Sequence, residues 1–149
     1  MIRTTPTLFI DSNIPLYASG PPHDLKEPSS RVLVLMDQQP AHFVTSAEVL
    51  QEVLHLSLRR RDPGVRLFHA FNIAMAGRVE AVYPEDVEAA ADIVGNQPGL
   101  EARDGVHLAV MRRLGVRHMV SADARLSRIN GVERLDPRDI GTWLATIFP

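Results

Sequence analysis

The chain has 149 residues with 16 basic and 18 acidic side chains, a formal charge of −2, and no cysteine. That length suits a single domain over residues 1–149 that buries a sizeable core without a staple. The absence of cysteine excludes disulfides, thiolate zinc sites and a cysteine nucleophile, and the near-neutral charge leaves any polyanion to a local patch or a metal.

In chain order, TLFI reads as a first strand and ends on Asp11, with Asn13 two residues later. Residues 19–30, SGPPHDLKEPSS, read as a loop because of their prolines and glycine. RVLVLMDQQ reads as a helix and HFVTS as a short strand. Residues 46–60 place Val49, Leu50, Val53, Leu54 and Leu58 on one helical face. Thr45 and Glu48 fit a capping box at its start, which assigns Glu48 to structure and Glu52 to a site. A helix follows Asp62-Pro63, VEAVY reads as a strand, and Pro84 to Gly95 bound another helix. Residues 102–114 form a helix stopped by Gly115. RHMVSAD reads as a strand with a turn and VERL as another strand, and PRDIGTWLATIF is a last helix carrying Trp143.

Strands alternating with helices predict an α/β, three-layer α/β/α domain with a mainly parallel central sheet. In such sheets, ligands gather beyond the carboxyl ends of the strands. Asp11 and Asp123 both sit just past a strand. Glu52 borders an apolar stripe and Asp104 opens a helix, so four distant acids are expected at one sheet edge. Clustered carboxylates repel, and a divalent cation relieves that repulsion; hard oxygen ligands favour Mg²⁺ or Mn²⁺. Taken singly, each acid reads equally well as a cap or turn residue.

The six histidines form no zinc motif, and His107 reads as a packed or surface residue. No phosphate-binding glycine loop is present. The run Arg59 to Arg61 fits a helix C-terminus, while Arg125 and Arg128, close behind Asp123, are the better candidates for contact with a phosphate. No apolar stretch approaches the roughly 18 residues of a membrane span, and MIRTTPTLFID has no leader pattern, so the expectation is a cytoplasmic protein without membrane contact.

FIDSNIPLYA, TSAEVLQEVL and ARDGVHLAVMRRLGVRHMVSADARLSRI, in this order, resemble PIN-domain proteins, in particular VapC-type toxins of bacterial toxin–antitoxin pairs. The resemblance spans nearly the whole chain. It implies a metal-dependent endoribonuclease whose four acidic positions are Asp11, Glu52, Asp104 and Asp123. Asn13 matches the polar residue that supports the first acid, and Ser121 falls where a Thr or Ser accompanies the last one. It further implies an RNA substrate, an antitoxin partner and a homodimer. The insert at residues 19–30 and the glycine after Asp104 are small departures from the family pattern.

Two other readings compete. A receiver-type phosphoacceptor domain also gathers acids and Mg²⁺ at strand ends, but it needs a late lysine, and the only lysine here is Lys26. A PIN-like module that binds RNA or protein without cleaving would show losses among the four acids, and all four are present.

Overall fold

The computed structural model describes residues 6–148. Five strands form one sheet: β1 (Leu8–Ile10), β2 (Phe43–Ser46), β3 (Val79–Glu80), β4 (His118–Val120) and β5 (Glu133–Leu135). Their order is β3-β2-β1-β4-β5, and every pairing is parallel, so the sheet is wholly rather than mainly parallel. Among the described residues, seven α-helices accompany it: α1 (Asn13–Ser19), α2 (Lys26–Gln38), α3 (Ala47–Arg59), α4 (Arg66–Ala74), α5 (Pro84–Asn96), α6 (Ala102–Leu114) and α7 (Ile140–Ile147). α1 packs on α2, α3 on α4, and α5 on α6.

A parallel sheet covered by helices makes its strands apolar without alternation. Leu8, Phe9 and Ile10 are all fully buried, each worth about 1.5–3 kcal/mol relative to exposure. β2 is buried throughout, including Thr45, whose hydroxyl donates to the Ile10 carbonyl at 2.9 Å. The chain adds β2 and β3 on one side of β1, then returns to add β4 and β5 on the other. The order therefore reverses between β1 and β4, which makes the carboxyl ends of these two strands the switch point where a ligand crevice opens.

Several local expectations need correction. The loop predicted over 19–30 ends early, because α2 begins at Lys26. Pro28 lies in its first turn, where an amide hydrogen has no helical partner to lose. Thr45 is not a helix cap. It belongs to β2, and Ser46 caps α3 by accepting from the Val49 N–H at 3.3 Å. The helix expected directly after Pro63 starts at Arg66. Gly64 (φ 61°) and Val65 (φ 48°) adopt left-handed backbone before it, and Asp62 Oδ2 accepts from the Leu67 N–H at 2.7 Å. VEAVY is a strand only at Val79–Glu80. Tyr83 precedes Pro84 and already serves as the cap of α5. Gly95 lies inside α5 rather than at its end. The stop at Gly115 holds: its φ of 70° suits a residue without Cβ.

α6 is buried over Gly105 to Met111. A helix covered on all sides cannot be recognised by a single apolar stripe. No helix among the described residues is long and apolar enough to cross a membrane. The reading of the first residues as free of a leader rests in part on residues 1–5, which lie outside the described range.

Candidate metal centre

Asp11 follows β1 directly, and its N–H donates to the Val120 carbonyl across the switch point at 3.1 Å. Its side chain is only 6% exposed. Oδ1 accepts from the Ser12 N–H at 2.8 Å. Oδ2 accepts from the Ser121 hydroxyl at 2.6 Å and from Asn13 Nδ2 at 3.2 Å. Asn13 Nδ2 also donates to Ser121 Oγ at 3.0 Å, and Asn13 Oδ1 accepts from the Ala122 N–H at 3.1 Å. Asn13 and Ser121 both contact the first acid, and Ser121, whose hydroxyl also accepts from the Asp123 N–H at 3.1 Å, stands between it and the last one. Burial pushes the Asp11 carboxyl up from its usual range, and nearby Glu52 adds to the rise.

Glu52 approaches from the second turn of α3. The Ser12 hydroxyl donates to its Oε1, and Arg103 Nη1 lies 3.7 Å from Oε2. His107 Nε2 stands 3.9 Å from Oε1, too far for a hydrogen bond but close enough for a strong field. Burial pushes the Glu52 carboxyl up, but His107, Ser12 and Arg103 outweigh it and the net shift is downward. Glu48, one turn earlier, points to Arg103 at 3.9 Å.

Asp104 occupies the first turn of α6, where its Oδ2 accepts from the Glu101 N–H at 3.0 Å. Burial raises its carboxyl. Asp123 follows β4 and accepts from the Arg125 N–H at 3.0 Å. Both acids therefore do serve as caps, while also facing the same edge. Between them lies Arg125. Its Nη2 is 2.6 Å from Asp123 Oδ2 and 3.4 Å from Asp104 Oδ2, and its Nη1 donates to the Gly99 carbonyl at 2.7 Å. The guanidinium holds the Asp123 carboxyl below its usual range.

The edge therefore carries two groups. Asp11, Glu52 and His107 each offer a ligand atom, all within 4.8 Å of one another. Asp104 and Asp123 lie outside that trio and are bridged by Arg125. Arg128 is exposed, as Arg125 is. Arg60 belongs to the scaffold: its Nη1 donates to the Leu16 carbonyl at 2.9 Å. The sequence does not single out Ser12 or Arg103, and it suggests a packed or surface role for His107, which the structure brings to the site. A signal for His107 did exist, since positions i and i+3 of a helix share a face and His107 stands three residues after Asp104.

Comparison with known proteins identifies the family. The PIN domain family matches residues 8–132. Ribonuclease VapC13 of Mycobacterium tuberculosis is 34% identical over 130 residues, covering 86% of this chain and 98% of the relative. Ribonuclease VapC7 of the same organism is 29% identical over 143 residues, covering 90% and 94%. Among solved structures, Mycobacterium tuberculosis VapC20, described as a Sarcin-Ricin loop cleaving toxin, superposes with a TM-score of 0.66 at 23% identity, covering 79% of this chain and 91% of that one. FitAcB from Neisseria gonorrhoeae gives a TM-score of 0.67 at 17% identity, covering 89% and 99%. These structures share the fold, and the sequence relatives define the lineage. The chain belongs to the PIN-domain family, in its VapC-type branch.

Proposed function

We propose that this chain is a divalent-metal-dependent endoribonuclease and the toxin of a toxin–antitoxin pair. The observation that carries the reading is Asp11. It is a nearly buried carboxylate at the switch point, held by Ser12, Asn13 and Ser121, with Glu52 beside it and Asp104 and Asp123 along the same edge. The names of the sequence relatives, ribonucleases of the VapC type, support the same activity.

The donor set fits a hard or borderline divalent cation. It offers carboxylate oxygens and a buried imidazole whose nitrogens have no hydrogen-bond partner among the described residues. The only lysine, Lys26, is elsewhere, donating to the Gly20 carbonyl at 2.7 Å, so no lysine ammonium neutralises these acids. Asp11 and Glu52 would hold the cation, Mg²⁺ or Mn²⁺, with Asp104 and Asp123 completing the site. The cation would offset the charge of a scissile phosphate and lower the pKa of a water. Asn13 and Ser121 would fix the Asp11 carboxylate in orientation. Arg128 is placed to meet a phosphate. Arg125 would do so only after leaving Asp123 and Asp104.

The partner reading rests on solved complexes of similar fold, which include a toxin–antitoxin complex from Klebsiella pneumoniae. Exposed apolar side chains at Val34 on α2 and Ile73 on α4 support an antitoxin or a second copy covering these helices. Such a pair would work in the cytoplasm.

Asp11→Asn and Asp104→Asn proteins, checked for folding by circular dichroism, should cleave RNA at least about 100-fold more slowly than the parent. Cleavage at the parent's rate by both would overturn the assignment. Sequencing the ends of cellular RNAs after brief expression of parent and Asp11→Asn would identify the substrate.

A further inference from the structure

His107 has no role in a reading based on four acids. α6 carries its side chain into the core, where it is 1% exposed and its ring centroid lies 6.0 Å from that of Phe9. Both ring nitrogens are buried, and neither has a hydrogen-bond partner among the described residues. Burying an imidazole without partners is costly, and such orphaned groups mark a function or an absent ligand. The ring is aimed at the site: Nε2 lies 3.9 Å from Glu52 Oε1, and a nitrogen of His107 shares a 4.8 Å cluster with oxygens of Asp11 and Glu52. Two donors sharing one cation at about 2.0–2.2 Å each stand at most about 4.4 Å apart, so the His107–Glu52 spacing of 3.9 Å lies within reach of one shared ion.

We propose that His107 supplies a nitrogen ligand to the cation, so that Asp11, Glu52 and His107 form a mixed oxygen–nitrogen site. This rests on the metal-dependent reading above and sharpens it by naming the class of cation. Carboxylates alone suit Mg²⁺. An added imidazole shifts preference toward Mn²⁺ and the later divalent ions, Fe²⁺, Co²⁺ and Zn²⁺. Charge agrees, because two carboxylates and a neutral imidazole balance one divalent ion. Asp104 and Asp123 then form a separate flank, held by Arg125, rather than the first grip on the ion.

Pulsed electron paramagnetic resonance on the full chain loaded with Mn²⁺ reads nitrogen coordination directly. The expected result is ¹⁴N modulation in the parent, converted to the ¹⁵N pattern after labelling with ¹⁵N-histidine. The modulation should vanish in Asp11→Asn together with the bound ion. In His107→Gln, folded by its thermal melt, Mn²⁺ should bind without nitrogen modulation and at least about tenfold more weakly, with a smaller preference for Mn²⁺ over Mg²⁺. If Mn²⁺ binds and is lost with Asp11→Asn but shows no nitrogen modulation, the His107 proposal falls and the metal-dependent site stands. Modulation that survives either substitution comes from another histidine and overturns the proposal in the same way. No Mn²⁺ binding by the parent overturns both readings.

Discussion

Replacing Ser121 by alanine removes one oxygen from the centre of the site. Ser121 is fully buried. Its hydroxyl donates to Asp11 Oδ2 at 2.6 Å and accepts from Asn13 Nδ2 at 3.0 Å and the Asp123 N–H at 3.1 Å. A hydrogen bond to an ionised group contributes about 1.5–3 kcal/mol net, and a neutral one about 0.5–1.5. Asn13 keeps its contact with Asp11 at 3.2 Å, which limits the loss on that side. The expected cost at neutral pH is therefore about 2–3 kcal/mol. For a chain of this size that lowers Tm by roughly 4–12 °C. Urea unfolding of the metal-free protein should show a lower midpoint with an unchanged slope. The loss should shrink in acid, because the Asp11 carboxyl is already raised by burial and takes up a proton once Ser121 no longer supports its charge. Mn²⁺ affinity should fall about 10–100-fold, the usual consequence of removing a group that orients a ligand. Ser121→Thr keeps the hydroxyl and should retain most of the affinity, separating the hydrogen bond from packing. A Ser121→Ala protein within about 0.5 kcal/mol of the parent, with parental Mn²⁺ affinity, would refute the reasoning.

Three further perturbations probe the scaffold and the rim. Asp86 is 3% exposed and accepts from Arg113 Nε at 3.0 Å and the Tyr83 N–H at 2.9 Å, so its folded pKa is depressed chiefly by the arginine. Its stabilisation is present above the unfolded carboxylate value of about 3.9 and is lost as pH falls through the folded value. Asp86→Asn should flatten the acid limb of a stability–pH curve below about pH 4, and a curve parallel to the parent's would contradict this. Gly105→Ala places a Cβ 2.8 Å from Val94 Cγ1 and 3.0 Å from the Ala90 carbonyl oxygen. Overpacking of about 1–3 kcal/mol should exceed the roughly 1 kcal/mol gained in helix propensity, whereas Gly141→Ala meets open space and should stabilise. Equal melting temperatures for the two variants would contradict that packing. Arg125→Gln removes the cation between Asp123 and Asp104 and should tighten Mn²⁺ binding while lowering the salt slope of RNA binding by about one. Unchanged Mn²⁺ affinity would show that the bridge does not compete.

Much of this architecture was legible in FIDSNIPLYA and ARDGVHLAVM. A buried strand ending on a carboxylate, and an acid opening a helix, follow from local pattern, and the strand–helix alternation supplies the parallel sheet that brings them to one edge. What the sequence left obscure has local causes. Thr45 and Ser46 are equally plausible caps, and only the pairing of β2 with its neighbours shows which residue leaves the sheet. Pro28 looks like a loop signal in a stretch with two other prolines, although a first helical turn tolerates it. α6 was placed by its ends, Asp104 and Gly115, rather than by a stripe, because Gly105 to Met111 are all buried. The spacing of His107 from Asp104 places it on that acid's face, but its approach to Glu52 depends on how α6 meets α3. Arg125 looked free for phosphate because sequence adjacency to Asp123 does not reveal that it folds back onto that acid. Asp104 and Asp123 also show that cap and site are not alternatives, since each carries out local capping while facing the shared edge.

The central claim is that a divalent cation at the carboxyl edge of β1 and β4 enables RNA cleavage. The most direct measurement is single-turnover cleavage of a defined RNA by the purified parent, stripped with EDTA and then given Mn²⁺ or Mg²⁺, with analysis of the new ends. The account predicts no cleavage after stripping, recovery on adding the ion, and ends bearing a phosphate monoester and a hydroxyl without cyclic phosphate, as attack by water requires. Cleavage that persists in EDTA, or that yields 2′,3′-cyclic phosphates, would contradict it.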